Sequence, residues 1–367
     1  MMFDKPYELV SPLLPDAQTL FPDIREALAS KWLTHDGPFV RRLELAMSEV
    51  LNTPHVVAVS SGTAGLMVAL RALGWRGEVI TPSFGFAGTV HALSWAGCTP
   101  VLAEVDRETF TIDPMSVERL VGPATVGILP VDAFGVPADL DTLRRAGRGL
   151  PILVDAAHAL GSQTRGSTDP AARTYSLHPT KTLVAGEGGL LTTTQGVLAD
   201  RLRRLRNFGF GTDQNAFDVG LNAKLPEFSA VLAYHQIELL GNTIAGRGAW
   251  DHAYRDSLDG VPGIRFQHLP ASVETNYQYT PIVIDVGAFG RTRDEVGAEL
   301  YRRNIVTRAY FSPPIHLMDP YRWSLRTDDL RWTERLSTSV LCLPVHPAES
   351  PSIASKIGEL IRSLRSG

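Results

Sequence analysis

From Val56 onward, short apolar runs alternate with stretches of helical periodicity, and this alternation limits the possible folds more than any other feature. Runs that are apolar throughout need cover on both faces, so the pattern predicts an α/β protein with a mostly parallel sheet between helical layers. Val56 to Val59 is the first run. Ser60-Ser61-Gly62 follows, and then Leu66, Ala69, Leu70 and Leu73 keep the i, i+3, i+4, i+7 spacing of a helix. Further strands are expected at Val79 to Thr81, Pro100 to Val105, Val126 to Val131, Ile152 to Asp155, Thr174 to Leu177 and Leu190 to Thr193, so that seven strands form one large domain. Asp113-Pro114 supplies the cap and first-turn proline of one crossover helix. Phe208-Gly209-Phe210-Gly211 reads as an exposed loop and Glu227 to Leu240 as a long buried helix closing the domain. Beyond it, Tyr277 to Ile284 and Leu341 to Val345 read as strands and Thr292 to Arg303 as a helix. Ile353, Ile357, Leu360, Ile361 and Leu364 form the stripe of a last helix, and this mixture predicts a smaller α+β domain.

With 35 Lys and Arg against 39 Asp and Glu, the net charge of −4 offers no basic excess for a nucleic acid backbone. No apolar run approaches the roughly 18 residues of a membrane span. Met1 to Val10 has acids, a lysine and Pro6 in place of a basic start and apolar core, so no export signal is read there. Cys98 and Cys342 stand in apolar surroundings, which predicts buried free thiols and fits a reducing cytoplasm. The ten histidines include no H-E-x-x-H pair and the two cysteines are far apart, so no metal site is expected.

Four segments fall at the carboxyl ends of expected strands, the edge where open parallel sheets bind ligands. Ser61-Gly62-Thr63-Ala64 is a glycine turn entering a helix, suited to a phosphate but also to an ordinary helix cap. Thr81-Pro82-Ser83-Phe84-Gly85-Phe86 offers rings that could lie on a planar cofactor or pack in the core. Val154-Asp155-Ala156-Ala157-His158 ends an apolar strand in a carboxylate that needs a cationic partner; a helix cap, a structural ion pair and a packed imidazole are the plainer alternatives. Ser176-Leu177-His178-Pro179-Thr180-Lys181 leads to Gly186-Glu187-Gly188-Gly189, placing a lysine between a strand end and a loop of wide backbone freedom. A phosphate cradle, a stacking ring, a carboxylate wanting a cation and a lysine able to form a Schiff base are together what pyridoxal phosphate requires.

The same segments resemble the sugar aminotransferases of the aspartate-aminotransferase fold, often called the DegT family. S-x-H-x-T-K before G-E-G-G is the most specific signal, and D-A-A-H twenty-six residues before the lysine is the next. The likeness spans nearly the whole chain and includes Gly37-Pro38, Leu129 to Gly135, Gly220 to Ala230, Pro314 to Leu317 and Leu341 to Pro347. It implies a type I PLP-dependent transferase fold, with an N-terminal segment and large cofactor-binding domain over 1–245 and a small α+β domain over 246–367. It implies that Lys181 bonds the coenzyme aldehyde, that Asp155 faces the pyridine nitrogen and that Phe86 stacks on the ring. Gly62, Thr63, Ala64 and Ser176 would hold the phosphate, and His158 would lie beside the ring. Asn222 would reach the phosphate of a neighbouring subunit, which makes a homodimer the active unit. The reaction implied takes an amino group from glutamate or glutamine to a keto sugar, nucleotide-linked, or to a keto-cyclitol. His178 and His316 fall near the sugar by this likeness, with ordinary packing the competing account of each. Gly65, Gly85 and Lys224 depart from the family's usual alanine, threonine and arginine.

Rival readings are weaker. No G-x-G-x-x-G follows the first strand and no G-x-x-x-x-G-K-S/T occurs, so neither a dinucleotide nor a nucleoside triphosphate finds its usual loop. Relatives that dehydrate keto sugars carry histidine at the lysine position, so Lys181 argues for transfer. A non-catalytic cofactor-binding regulator built on this fold is the rival of another kind, and the retention of both Lys181 and Asp155 weighs against it.

Overall fold

A computed structural model describes residues 3–166, 168–212, 215–322 and 326–365. Met1 and Met2, in the segment read above for an export signal, and Ser366 and Gly367, at the end of the second expected domain, lie outside the described residues. The strands are β1 (His55–Val59), β2 (Glu78–Pro82), β3 (Thr99–Ala103), β4 (Thr125–Ile128), β5 (Leu153–Asp155), β6 (Gln163–Thr164), β7 (Ala172–Ser176), β8 (Gly189–Thr193), β9 (Ile264–Phe266), β10 (Val273–Glu274), β11 (Thr280–Ile284), β12 (Arg326–Thr327) and β13 (Val340–Leu343).

Two ladders, β12-β3-β2-β4 and β5-β7-β8-β1, lie side by side. Parallel bridges Ile128–Ile152 and Val131–Asp155, with hydrogen bonds from Asp155 N to Pro130 O and from Asp132 N to Asp155 O, form the seam between them. Every pairing in the two ladders is parallel except those of β8, which runs against both β1 and β7. Parallel neighbours need a crossover connection, and residues 177–188 between β7 and β8 contain no helix or strand, so the chain simply reverses. That reversal is what carries Lys181 back across the sheet edge.

The helix Gly62–Leu73 starts and stops where its sequence dictates. Ser61 Oγ accepts the Ala64 N–H at one end, and Gly74, at a φ of 71°, turns the chain out at the other. Two helices before the first strand, Ala17–Ser30 and Pro38–Val50, escaped the periodicity reading, although Gly37-Pro38 is a legible start signal. The fold explains that dipeptide. Buried Glu227 accepts the N–H groups of Phe39 at 2.8 Å and Val40 at 3.0 Å, and a Cβ on Gly37 would stand 2.4 Å from its carboxyl carbon. Only glycine admits the carboxylate that caps this helix.

The helix expected over Glu227 to Leu240 is Glu227–Gln236, a 3₁₀ turn at Ile237–Leu239, and then a further helix, Leu240–Leu258. Gly241, Gly246 and Gly248 hide the continuation by breaking its apolar periodicity. Two of them are there for contact: a Cβ on Gly246 would meet the Pro347 carbonyl at 2.3 Å, and one on Gly248 the Tyr277 ring at 3.0 Å. Trp250, Tyr254 and Leu258 of this helix pack with Ile357 and Ile361 of the final helix, Ser352–Ser363, in one core with the antiparallel β13-β11-β9 sheet. Tyr7 and Val10 bridge to Ile305 and Val345, so the N-terminal strand of chain lies on this C-terminal core. Cys98 and Cys342 are buried and free, and among the described residues no helix is long and apolar enough to cross a membrane.

Glu227→Ala is expected to lower the unfolding free energy by about 3 kcal/mol, since two buried N–H groups lose a charged acceptor. Denaturant titration of the two proteins measures this, and equal midpoints would remove Glu227 as the cap.

Candidate active site

The carboxyl ends of β1, β5 and β7 open into a cavity of about 320 Å³. Gly62, Thr63, Phe86, Asp155, His158, Ser176, His178 and Lys181 all line it, so the topology gathers eight of the residues singled out in the sequence. At the β1 end, Ser61 Oγ takes the Ala64 N–H and the Ser61 carbonyl takes that of Gly65. Gly62 and Thr63 stand just before them at the start of the helix, whose first-turn N–H groups have no acceptor within it. Backbone crowding shapes this corner. A Cβ on Gly189 would lie 2.7 Å from the Ser61 carbonyl carbon, and one on Gly62 3.2 Å from Ser176 Cβ. The last glycine of G-E-G-G therefore lets β8 close against the turn at Ser61.

Asp155 sits at the end of β5 with 6 % of its surface exposed. Its Oδ2 accepts the Thr89 hydroxyl at 2.6 Å and its Oδ1 the Ala157 N–H at 3.1 Å. Burial pushes the carboxyl up from its ordinary range, while Thr89, Ala157 and the Lys181 charge pull it back. Lys181 is pushed the opposite way, down to about 7, first by burial; Arg247 acts in the same direction and Asp155 against it. Near neutrality this amine therefore exists substantially as the free base, the form that can act as a nucleophile. The sign for stability follows. The unfolded chain holds the proton from about 7 up to the ordinary lysine value of 10.5, so this group adds stability as the pH rises through that window.

His158 Nδ1 accepts the Phe134 N–H at 3.3 Å, which requires the neutral ring with its proton on Nε2. Burial depresses its basicity well below the usual histidine value, and the Lys181 charge adds to this. Phe134 and Phe311 stack near the ring and Tyr279 meets it edge-on, so the imidazole is held flat at the cavity wall. Phe86, by contrast, is 63 % exposed, a ring at the mouth with one face free.

Three other residues lie apart. Ala64 does not line the cavity, and its N–H is engaged by Ser61 Oγ. His316 does not line the cavity; its Nδ1 is 2.8 Å from Ser83 Oγ and its Nε2 3.2 Å from Glu334. Asn222 is exposed on the loop that pairs with Asn207, away from the cavity of its own chain. His178 is exposed at the rim and bonds Thr180 Oγ1 at 3.0 Å. Several lining residues went unread in the sequence: Thr89, Tyr279, Tyr310 and Phe311. Thr89 follows Phe86 by three residues and could have been found as the next cavity-facing position of a helix begun there. Tyr279, Tyr310 and Phe311 come from the C-terminal half, and no local pattern marks them.

Residues 16–362 match the profile of the DegT/DnrJ/EryC1/StrS aminotransferase family. The chain belongs to that family. It is 33% identical over 370 residues to a curated Escherichia coli protein named dTDP-4-amino-4,6-dideoxy-D-glucose transaminase, covering 98% of this chain and 99% of that protein. Among solved structures it is similar to DesI crystallised in the presence of its TDP-sugar product, with 36% identity, a TM-score of 0.94, and coverage of 99% of this chain and 93% of that one. DesV of S. venezuelae superposes with a TM-score of 0.88 at 30% identity, over 96% of this chain and 98% of that one. The fold is thus the type I fold of the PLP-dependent aminotransferases, as the sequence motifs implied, and the protein is an aminotransferase.

Lys181 should react with an amine-directed reagent such as trinitrobenzenesulfonate with a half-maximal rate near pH 7. In Asp155→Asn the midpoint should fall, because the carboxylate favours the ammonium form. Peptide mapping against pH reads both, and a Lys181 midpoint in the range of surface lysines would refute the assignment.

Proposed function

We propose that this aminotransferase moves an amino group from glutamate or glutamine to the keto carbon of a nucleotide-linked sugar, with pyridoxal 5′-phosphate as the carrier. The observation that carries the reading is a lysine amine lowered toward neutrality sharing one cavity with a buried carboxylate and a helix N-terminus. These residues fit the coenzyme at three points. Gly62, Thr63 and Ser176 offer donors at a helix start to a phosphate. Asp155, braced by Thr89, offers a negative charge to a protonated ring nitrogen, which would offset its own desolvation. Lys181 offers the amine. Phe86 would cover the ring from the mouth and His158 would flank it as a neutral imidazole.

When bound, the coenzyme supplies an aldehyde to take up the amino group and an electron-poor ring to accept the electrons of a breaking C–H bond. The chain's own residues do the rest. Lys181 Nζ, free of its proton near neutrality, would take up the proton released at the substrate carbon and hold it for transfer. Asp155 would favour a protonated ring nitrogen, and its lost solvation would make that pairing stronger than in water. Phe134, Phe311 and Tyr279 form the apolar wall behind His158. His178 at the rim and His316 behind Ser83 are the residues we propose for contact with the sugar.

The acceptor we propose is a dTDP-linked 6-deoxyhexose with its keto group at carbon 4. Two curated relatives, at 33% and 30% identity over almost the full chain, are named for the 4-amino product of such a sugar. The active unit we propose is a homodimer in which Asn222 enters the partner's cavity. Its exposure, and that of Phe208, Phe210, Phe217 and Val219 on the same loop, supports contact with a second copy. The large domain over 1–245 and the small domain over 246–367 are the division we propose, with the helix Leu240–Leu258 running across the boundary and Tyr7 and Val10 lying on the C-terminal core. A cytoplasmic setting suits the two buried free thiols.

The purified protein should be yellow, bleach with glutamate or glutamine and recover its colour with the dTDP-4-keto sugar. Recovery only with a keto-cyclitol would reassign the acceptor, and binding without bleaching would make the protein a regulator. Lys181→Ala should fold normally and lose transamination, so near-normal turnover would sink the lysine's role. Asn222→Ala should remain dimeric by light scattering and bind the coenzyme about tenfold more weakly, as expected for a lost hydrogen bond to a charged group. Unchanged affinity in the dimer would argue against the cross-subunit contact.

A further inference from the structure

The helix Leu240–Leu258 carries an arginine that the proposed chemistry does not use. Arg247 is completely enclosed, with no exposed surface. Among the described residues no carboxylate pairs with it, and its hydrogen bonds go to main-chain carbonyls: Gln278 O at 2.9 Å, Lys181 O at 2.9 Å and Thr180 O at 3.4 Å. The acid one turn along, Asp251, stands at the i+4 position where a partner would normally sit. It is taken by Arg255 at 2.5 Å and by the Thr280 hydroxyl at 3.0 Å. A buried guanidinium without a counter-charge is costly, and an apolar side chain of similar volume would usually be more stable.

The partners of Arg247 indicate what offsets that cost. Gln278, also fully enclosed, donates its amide to the same Thr180 carbonyl at 2.8 Å. Two residues earlier, Asn276 donates to the carbonyls of His158 and Leu160, both at 2.9 Å, and the Thr182 hydroxyl closes the set on Leu160 O at 3.0 Å. The segment leading into β11 and the long helix thus grip the two loops bearing His158 and Lys181 by their backbones. Of these contacts, only those of Arg247 reach the carbonyl of Lys181 itself.

We propose that Arg247 is a positioning residue for Lys181: its guanidinium, braced by Gln278, holds the Thr180 and Lys181 carbonyls so that the amine enters the cavity in one orientation. The inference rests on the reading of Lys181 as the nucleophile. The planar fork matters because it reaches neighbouring carbonyls at once, which the single ammonium of a lysine does not reproduce. The charge has a second effect. Arg247 disfavours a further positive charge on Lys181, whereas Asp155 favours it; His158, Tyr279, Tyr310, His178 and Glu187 are the other titratable groups around the cavity. The clamp thereby acts on both the direction and the protonation of the amine, with no contact to the reacting atoms.

The test uses the full-length protein, stripped of coenzyme and mixed with pyridoxal 5′-phosphate, and follows covalent attachment by absorbance across the pH range around neutrality. Borohydride reduction and peptide mapping of the wild type locate the bond; a bond elsewhere than Lys181 would overturn the preceding functional reading and not this one specifically. With the bond at Lys181, Arg247→Met should attach the coenzyme about tenfold more slowly at pH 7, with its midpoint moved upward by about one pH unit as the nearby charge is lost. Arg247→Lys should keep the midpoint and lose the rate. Affinity for pyridoxamine 5′-phosphate, which needs the cavity but makes no bond to the lysine, should stay within about threefold in both, a change of under 1 kcal/mol. A parallel loss of that affinity would make the arginine merely structural, and a wild-type rate and midpoint in Arg247→Met would equally overturn the proposal. Should that variant fail to fold, Gln278→Leu, which leaves Arg247 and the Gln278 main-chain carbonyl in place and removes the side-chain amide that shares the Thr180 carbonyl, decides: slower attachment at an unmoved midpoint supports the clamp, and wild-type attachment ends it.

Discussion

A carboxylate buried at the end of a strand is the constraint on which this molecule turns. Asp155 has lost nearly all its water and retains only a hydroxyl and one N–H as donors. Such a group is tolerated when something cationic is held against it, and the architecture around it provides for that. The charge of Lys181, when it holds its proton, eases that cost from the chain reversal after β7, and the proposed coenzyme would offer a protonated ring nitrogen. The same burial that raises the affinity of Asp155 for a proton lowers that of Lys181. One dry cavity therefore prepares an acid and a base at the same time.

The fold supplies the dryness and the geometry. The seam between β4 and β5 puts Asp155 in the middle of the sheet, where helices cover both faces. The reversal of β8 brings the lysine loop over the same edge, and glycine at position 189 lets that strand press against the turn at Ser61. His158 is kept neutral by its burial and the nearby Lys181 charge, while the Phe134 N–H at its Nδ1 and the aromatic rings hold it in place. Behind this wall, Asn276, Gln278 and Arg247 fasten the two reactive loops by their carbonyls, so the C-terminal half is part of the site's rigidity as well as of its lining.

Much of this could be read from residue order, for a physical reason in each case. The run Val56 to Val59 and the spacing of Leu66, Ala69, Leu70 and Leu73 are local burial patterns, and they appear as β1 and the helix Gly62–Leu73. Asp155 stood out because a charge after an apolar strand demands a partner, and Lys181 because it lies within a motif whose glycines have a mechanical task. The continuation of the helix beyond Leu240 was hidden because its glycines serve contacts with Pro347 and Tyr277, which are remote in sequence. Thr89, Tyr279, Tyr310 and Phe311 were hidden for a similar reason: each matters through what it faces and not through its neighbours along the chain.

Residue types and their spacing were enough to determine the α/β class and to single out the glycine turn at Ser61, Lys181 and Asp155 that meet in one cavity, since backbone propensity, periodicity and desolvation act over a few residues. Tertiary structure alone decided that β8 runs against its neighbours, that Glu227 caps a helix nearly two hundred positions away, and that an arginine without a counter-ion grips the backbone of the lysine. Those outcomes depend on which surfaces meet after the chain has closed, and direct contact between distant segments is energy that no local pattern encodes.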